Sequence, residues 1–254
     1  MLVVNAGTQD DDFEWLRAHA SPGTDLRNRS AETGKIDIQG PGSLSLLEPL
    51  LESPIRGLRY YRFHHNRYQG APVLVSRTGY TGERGFEVYA DATTTAALWD
   101  ACLALGAAPA GLGARDTLRL EIGMPLYGHE LSATRNAAES GFTAALSPRK
   151  PHIGSTAIRD PARHRESLIG IVFPDRRSAR AGDAVLAPDG TPIGTVTSGS
   201  FAPSLGHAIA LAYIQATAVI PESAVGVQTA RALLPGRLAK PPFYRAGTAR
   251  LPIS

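Results

Sequence analysis

Two stretches of the chain concentrate residue types that could bind a polar ligand. The first is Ser76-Arg77-Thr78-Gly79-Tyr80-Thr81-Gly82-Glu83, followed by Gly85-Phe86-Glu87-Val88-Tyr89. Closely spaced glycines let a backbone turn tightly and approach a ligand. Tyr80 offers a ring to stack on a flat group and a hydroxyl to donate. Glu87 alternates with Phe86 and Val88, so it faces away from them on a strand. A carboxylate can accept two N–H bonds from an amidine-like edge, such as that of a pterin or a guanine. A glycine-rich hairpin with a solvated glutamate fits the same pattern, and the residues alone leave both readings open. The second stretch is residues 111–130, with Arg115 and Arg119 four apart on one helical face. A planar guanidinium suits a carboxylate, as on a glutamate tail. Surface salt bridges to Asp116 or Glu121 suit these arginines equally well. Leu112, Leu118 and Ile122 are the expected buried stripe of that helix.

Other catalytic patterns are not met. The histidines are His19, His64, His65, His129, His152, His164 and His207, and none forms a metal-type pair at helical spacing. His64 and His65 are neighbours in an expected strand and so point to opposite faces. No serine sits in a nucleophile elbow. Gly111 and Gly113 begin like a dinucleotide loop, but Asp116 stands where its last glycine would be. The residues thus identify no catalytic group and no metal site.

The chain has 254 residues, enough for two domains, and 43% hydrophobic residues, enough for a core. No stretch is long and apolar enough to cross a membrane, and no signal segment precedes Asp10, Asp11 and Asp12. The lone Cys102 lies in an apolar helical stretch and is expected to be buried and inert. These features read as a cytoplasmic protein. The net charge is only +3. The dense basic cluster Arg159, Arg163, His164, Arg165 has no interleaved aromatic residue and reads as a solvated helix or linker, not a nucleic-acid site.

The elements that must position these groups follow from patterning. Residues 2–4 read as an apolar strand. Thr8 is placed to cap a helix whose first turn is acidic and whose apolar face is Phe13, Trp15 and Leu16. Residues 35–39 alternate as a strand, and Ser43 caps a short helix with Leu44, Leu47 and Leu51. Residues 60–68, 73–77 and 86–89 are expected strands, the first two joined at Gln69-Gly70. Asp91 caps a helix through Leu98 and Leu103, and another helix runs over about 114–122. From Ser167 onward the chain turns to short β runs, with a hairpin at Pro188-Asp189-Gly190 and strands near 208–213 and 225–230. The expected fold is α+β: an α+β domain over 1–160, a linker near 161–166 and a small β-barrel over 167–254.

Taken together, the motifs resemble the T-protein of the glycine cleavage system, an aminomethyltransferase family. The matching pieces are Val3-Val4-Asn5-Ala6, residues 77–83, residues 111–130, and Gly194-Thr195-Val196-Thr197-Ser198-Gly199 leading to Ser204-Leu205-Gly206, in family order over nearly the whole chain. The resemblance implies transfer of a one-carbon unit from the aminomethyl-lipoyl arm of H-protein to tetrahydrofolate, with release of ammonia. It implies a folate-binding role for Glu87 and Arg115, pocket positions for Asn5 and Tyr80, and a supporting position for Tyr127. It also implies an N-terminally truncated chain, because the family's catalytic aspartate strand precedes the segment at Leu2 and has no counterpart in these residues. The alternative that follows is a catalytically incomplete folate-binding module or subunit that needs a partner. Two local departures, Ala137 in the family's Pro-X-Glu and Ala144 in place of an aromatic residue, bear on the H-protein side or the channel wall.

Overall fold

The computed structural model describes every residue except 136, 142–145, 148, 161–163 and 254. Ala144, Arg163 and the start of the expected linker therefore lie outside the described residues. The chain forms two compact units: residues 1–79, 83–109 and 247–254 in one, and residues 80–82 and 110–246 in the other.

The first unit is built on a four-stranded antiparallel sheet. Its strands are β1 (Gly34–Gln39), β2 (Phe63–Tyr68), β3 (Ala71–Ser76) and β4 (Gly85–Ala90), in the spatial order β1-β4-β3-β2. Gln69 and Gly70 both have positive φ, 49° and 80°, the backbone twist a two-residue hairpin between β2 and β3 requires. Period-two alternation sends Ile36, Ile38, Val73, Val75, Phe86 and Val88 to one face. There they pack with Leu44 and Leu47 of helix α2 (Ser43–Leu47) and with Leu98 and Cys102 of α3 (Ala92–Ala104). Asp91 caps α3 as its sequence position suggests, its side chain accepting from the Thr94 N–H at 2.9 Å. Cys102 is buried, and burial pushes its thiol pKa up.

Several expectations at the start of this unit are corrected. Residues 2–4 form no strand and are exposed, because a strand exists only by pairing and no described residue pairs with them. Helix α1 (Gln9–His19) forms, but none of its residues is buried and Trp15 is 49% exposed. The Thr8 hydroxyl donates to Asp12 Oδ2 at 2.8 Å and makes no capping bond to a backbone N–H. Gly42, not Ser43, is the N-cap of α2. Tyr60 and Tyr61 lie in a turn before β2, Tyr61 with φ of 61°, so the strand starts later than alternation suggests.

The second unit is organised on a closed six-stranded barrel. Its strands are β5 (Glu166–Val172), β6 (Ala184–Leu186), β7 (Pro192–Ala202), β8 (His207–Gln215), β9 (Ala224–Gln228) and β10 (Leu233–Ala239), arranged β10-β5-β8-β7-β6-β9. Strand β8 is apolar on both faces because it is covered on both. Ala208, Ala210, Ala212 and Ile214 point into the barrel. Ile209 and Leu211 point outward, where they meet Leu120, Leu168 and Phe243. Strand β10 contains Pro235 and Gly236, which weaken any strand signal, yet it pairs with both β9 and β5 and closes the barrel.

Leu120 belongs to helix α4 (Leu112–Glu121), whose C-terminal half is buried. The expected apolar stripe of this helix is corrected: Leu112 is 85% exposed, and Arg119, Leu120 and Glu121 are the buried positions. The buried polar residues are satisfied locally. Glu121 Oε1 accepts from the Ser204 N–H at 2.9 Å. A further short helix, α5 (Ser155–Arg159), precedes the barrel strands.

Candidate functional site

Glu87 sits on β4 between Asp37 of β1 and Ser76 of β3 in the strand register. The sheet face opposite the core carries Lys35, Asp37 and Gln39 from β1, Leu74 and Ser76 from β3, and Glu87 and Tyr89 from β4. Each Glu87 oxygen has one donor. Lys35 Nζ lies 2.7 Å from Oε1 and the Tyr89 hydroxyl donates to Oε2 at 2.6 Å. Lys35 also reaches Asp37 Oδ1 at 3.1 Å. Burial, and then the adjacent Glu87 carboxylate, raise the pKa of the Tyr89 phenol, so Tyr89 stays a donor at neutral pH. The carboxylate that alternation sets apart from the core is therefore held in one orientation by two neighbours. Lys35 and Tyr89 were not singled out in the sequence. Tyr89 was findable, two residues along the same strand; Lys35 needed the register.

The glycines of the first motif serve close packing here. The Gln39 side-chain amide fills the space a Cβ would take at Gly79 and at Gly85, and its Nε2 donates to Thr78 O at 3.2 Å. Arg77, 4% exposed, donates to the carbonyls of Leu58, Ala249 and Leu251 at 2.9, 3.0 and 2.6 Å.

In the second unit Tyr80 and Arg115 are brought together. The Arg115 guanidinium carbon lies 5.4 Å from the Tyr80 ring centroid, a cation–π arrangement, and the Tyr80 hydroxyl donates to the Pro125 carbonyl. Arg115 is half-buried on α4, one turn into the helix. Tyr127 is 42% exposed in the turn bridged by Tyr127 and Leu131. Asn5 is exposed in the first unit, preceding a 3-10 turn, with no capping bond from its side chain.

Arg119 does not share the setting of Arg115. It is 1% exposed and donates to Asp116 Oδ1 at 2.7 Å, Glu130 Oε2 at 2.8 Å, Met124 O at 3.2 Å and Ser198 Oγ at 2.7 Å. The salt bridge to Asp116 forms, but the surface setting expected for it is corrected: Arg119 is buried, with Glu130 as a second partner that spacing did not suggest. Ser198 in turn donates to Glu130 Oε1 at 2.6 Å, and the Leu126 N–H to Oε2 at 2.9 Å. This buried network fixes the turn at 126–131 against α4 and β7.

The fold defines a class: an α+β domain followed by a closed β-barrel domain. Residues 1–150 match the family model described as the GCVT N-terminal domain, and residues 167–245 match the glycine cleavage T-protein C-terminal barrel domain. The chain belongs to the aminomethyltransferase family of glycine cleavage T-proteins. It is 42% identical to the aminomethyltransferase of Moorella thermoacetica over 96% of this chain and 69% of that protein. It is 38% identical to the aminomethyltransferase of Synechococcus elongatus over 98% of this chain and 68% of that protein. The crystal structure of the glycine cleavage system aminomethyltransferase T from Bartonella henselae superposes with a TM-score of 0.85 at 25% identity, covering 96% of this chain and 68% of that one. Among the described residues no helix is long and apolar enough to cross a membrane, and no cluster of acids, histidines or cysteines could hold a metal ion.

Proposed function

We propose that this aminomethyltransferase binds tetrahydrofolate through Glu87 and Arg115, takes its one-carbon unit from the lipoyl arm of H-protein, and works in the cytoplasm. One observation carries the reading: Glu87 stands on the polar face of the sheet with one donor on each oxygen. A carboxylate has about four acceptor positions, so roughly two remain for the paired N–H groups of a pterin edge. Lys35 and Tyr89 fix the plane of the carboxylate, which reduces the ordering required when a ligand arrives. Arg115 supplies the positive charge for an anionic glutamate tail, with Tyr80 holding its guanidinium by the ring face. The family resemblance adds Tyr127 and Asn5 as further candidate folate-binding residues. Bound tetrahydrofolate would supply the nitrogen that accepts the one-carbon unit; the residues named here bind and orient it.

Calorimetric titration with 5-formyltetrahydrofolate tests the reading. Glu87→Ala and Arg115→Ala are each expected to weaken binding by about 10- to 100-fold, the range for a lost hydrogen bond to a charged group. Absence of binding to the folded wild-type chain rejects the folate assignment. Binding without turnover of aminomethylated H-protein assigns the chain the role of a folate-binding module that requires a partner.

A further inference from the structure

Residues 247–253 lie against the connection between β3 and β4. The β3–β4 ladder ends at the pair Ser76 and Glu87. Arg77 still exchanges backbone bonds with the turn before β2: its N–H donates to Arg62 O at 2.8 Å, and its carbonyl accepts from the Tyr61 N–H at 2.9 Å. Beyond Arg77, residues 78–84 belong to no strand. Both flanks of this connection are gripped by the same short segment. On the incoming side, one Arg77 guanidinium nitrogen donates to Ala249 O and Leu251 O at 3.0 and 2.6 Å. On the outgoing side, the Thr248 hydroxyl accepts from the Arg84 N–H at 2.8 Å and donates to Glu83 Oε2. The Thr248 N–H also reaches that oxygen at 3.3 Å. The next residue after Arg84 is Gly85, the first of the strand that carries Glu87.

The chemistry of this contact distinguishes it from ordinary core packing. Of these tail residues, only Ile253 packs against the apolar core of the first unit. The grip consists of hydrogen bonds, and one hydroxyl uses both its donor and its acceptor on consecutive residues. We propose that residues 247–253 act as a clasp on the β3–β4 connection, with Thr248 and Arg77 as positioning residues for ligand binding at Glu87. The functional consequence rests on the folate reading above; the clasp itself does not. A connection ordered in advance does not have to be ordered by the ligand, so the clasp raises affinity without touching the ligand.

The test compares Thr248→Val, Thr248→Ser and a chain ending at Gly247 with the wild type. The measurements are 5-formyltetrahydrofolate affinity, the KM for tetrahydrofolate against kcat, and hydrogen exchange of amides 78–84 without ligand. Thr248→Val keeps the shape and removes the hydroxyl. It is expected to raise Kd and KM about ten-fold, leave kcat within about two-fold, and speed exchange at Arg84 about ten-fold. Thr248→Ser restores the hydroxyl and is expected to stay within about two-fold of wild type throughout. The shortened chain is expected to match or exceed Thr248→Val. Unchanged exchange in both Thr248→Val and the shortened chain overturns the clasp. Faster exchange with unchanged affinity overturns the positioning role. A serine variant as impaired as the valine variant overturns the hydroxyl assignment. If the wild type binds no folate, the folate reading fails, and the exchange data alone decide the clasp.

Discussion

Glu130→Ala should destabilise the second unit by about 3 kcal/mol. Glu130 is fully buried and accepts from Arg119 Nη1 at 2.8 Å, the Leu126 N–H at 2.9 Å and the Ser198 hydroxyl at 2.6 Å. Breaking a buried ion pair by removing one partner costs about 3–5 kcal/mol, because the other charge stays buried. Here Arg119 keeps Asp116, whose side chain is 49% exposed, and the carbonyl of Met124, which favours the lower end of that range. With a urea m-value of about 2 kcal/mol per molar, the midpoint should fall by roughly 1.5 M. Both tryptophans, Trp15 and Trp99, belong to the first unit. The barrel is therefore followed by far-UV circular dichroism, with tryptophan emission as the parallel probe of the first unit. The larger shift should appear in the dichroism signal. The double variant Arg119→Met with Glu130→Leu, which removes both charges and refills the space, should recover at least about half of the loss. A loss below about 1 kcal/mol in Glu130→Ala would refute the reasoning, since it would mean that the pair is not the buried anchor of this network.

Three further outcomes follow from the same kind of geometry. Burial raises the Tyr213 phenol pKa to about 12, and its hydroxyl donates to Glu130 O at 2.8 Å. Its folded pKa lies above the unfolded value of about 10, so its contribution is intact below pH 10 and is lost as pH rises toward 12. Tyr213→Phe should flatten that part of the alkaline unfolding curve. Lys35→Met should leave Asp37 and Glu87 directly opposed across β1 and β4 without the ammonium between them, lowering first-unit stability by about 1 kcal/mol. Urea unfolding by tryptophan emission should show part of that loss recovered in 0.5 M salt, roughly as screening predicts. Gly82→Ala should cost at least about 1 kcal/mol, since Gly82 has φ of 78° and a Cβ there would strike the Ile122 side chain. A thermal melt of that variant unchanged from wild type would mean that the backbone there can relax.

Much of the architecture was legible in the sequence for identifiable reasons. Alternation marked Ile36, Ile38, Phe86 and Val88 as one face, and the strands formed there because the period is a property of the chain itself. Asp91 marked a helix start, and the Pro188-Asp189-Gly190 turn marked the hairpin between β6 and β7, because caps and turns are local chemistry. The same alternation set Glu87 apart from the core. The failures share one cause. Residues 2–4 carry strand-forming types but have no pairing partner among the described residues, and the apolar stripe read on α4 missed that Leu112 faces solvent while Arg119 is buried. Strand β10 was invisible because Pro235 and Gly236 are poor strand residues that the barrel's closure nonetheless accommodates.

The sequence by itself determined the family and the two-part α+β and barrel organisation, since these rest on local patterns and ordered motifs. Only the tertiary structure decided what each charge does. Arg115 and Arg119 are the same residue type one helical turn apart, yet one lies over the Tyr80 ring and the other is sealed between Asp116, Glu130 and Ser198. Lys35 and Glu87, 52 residues apart in the chain, meet only because β1 and β4 pair in one register. Which partner a charged side chain finds depends on contacts between distant segments, and spacing along the chain carries no record of them.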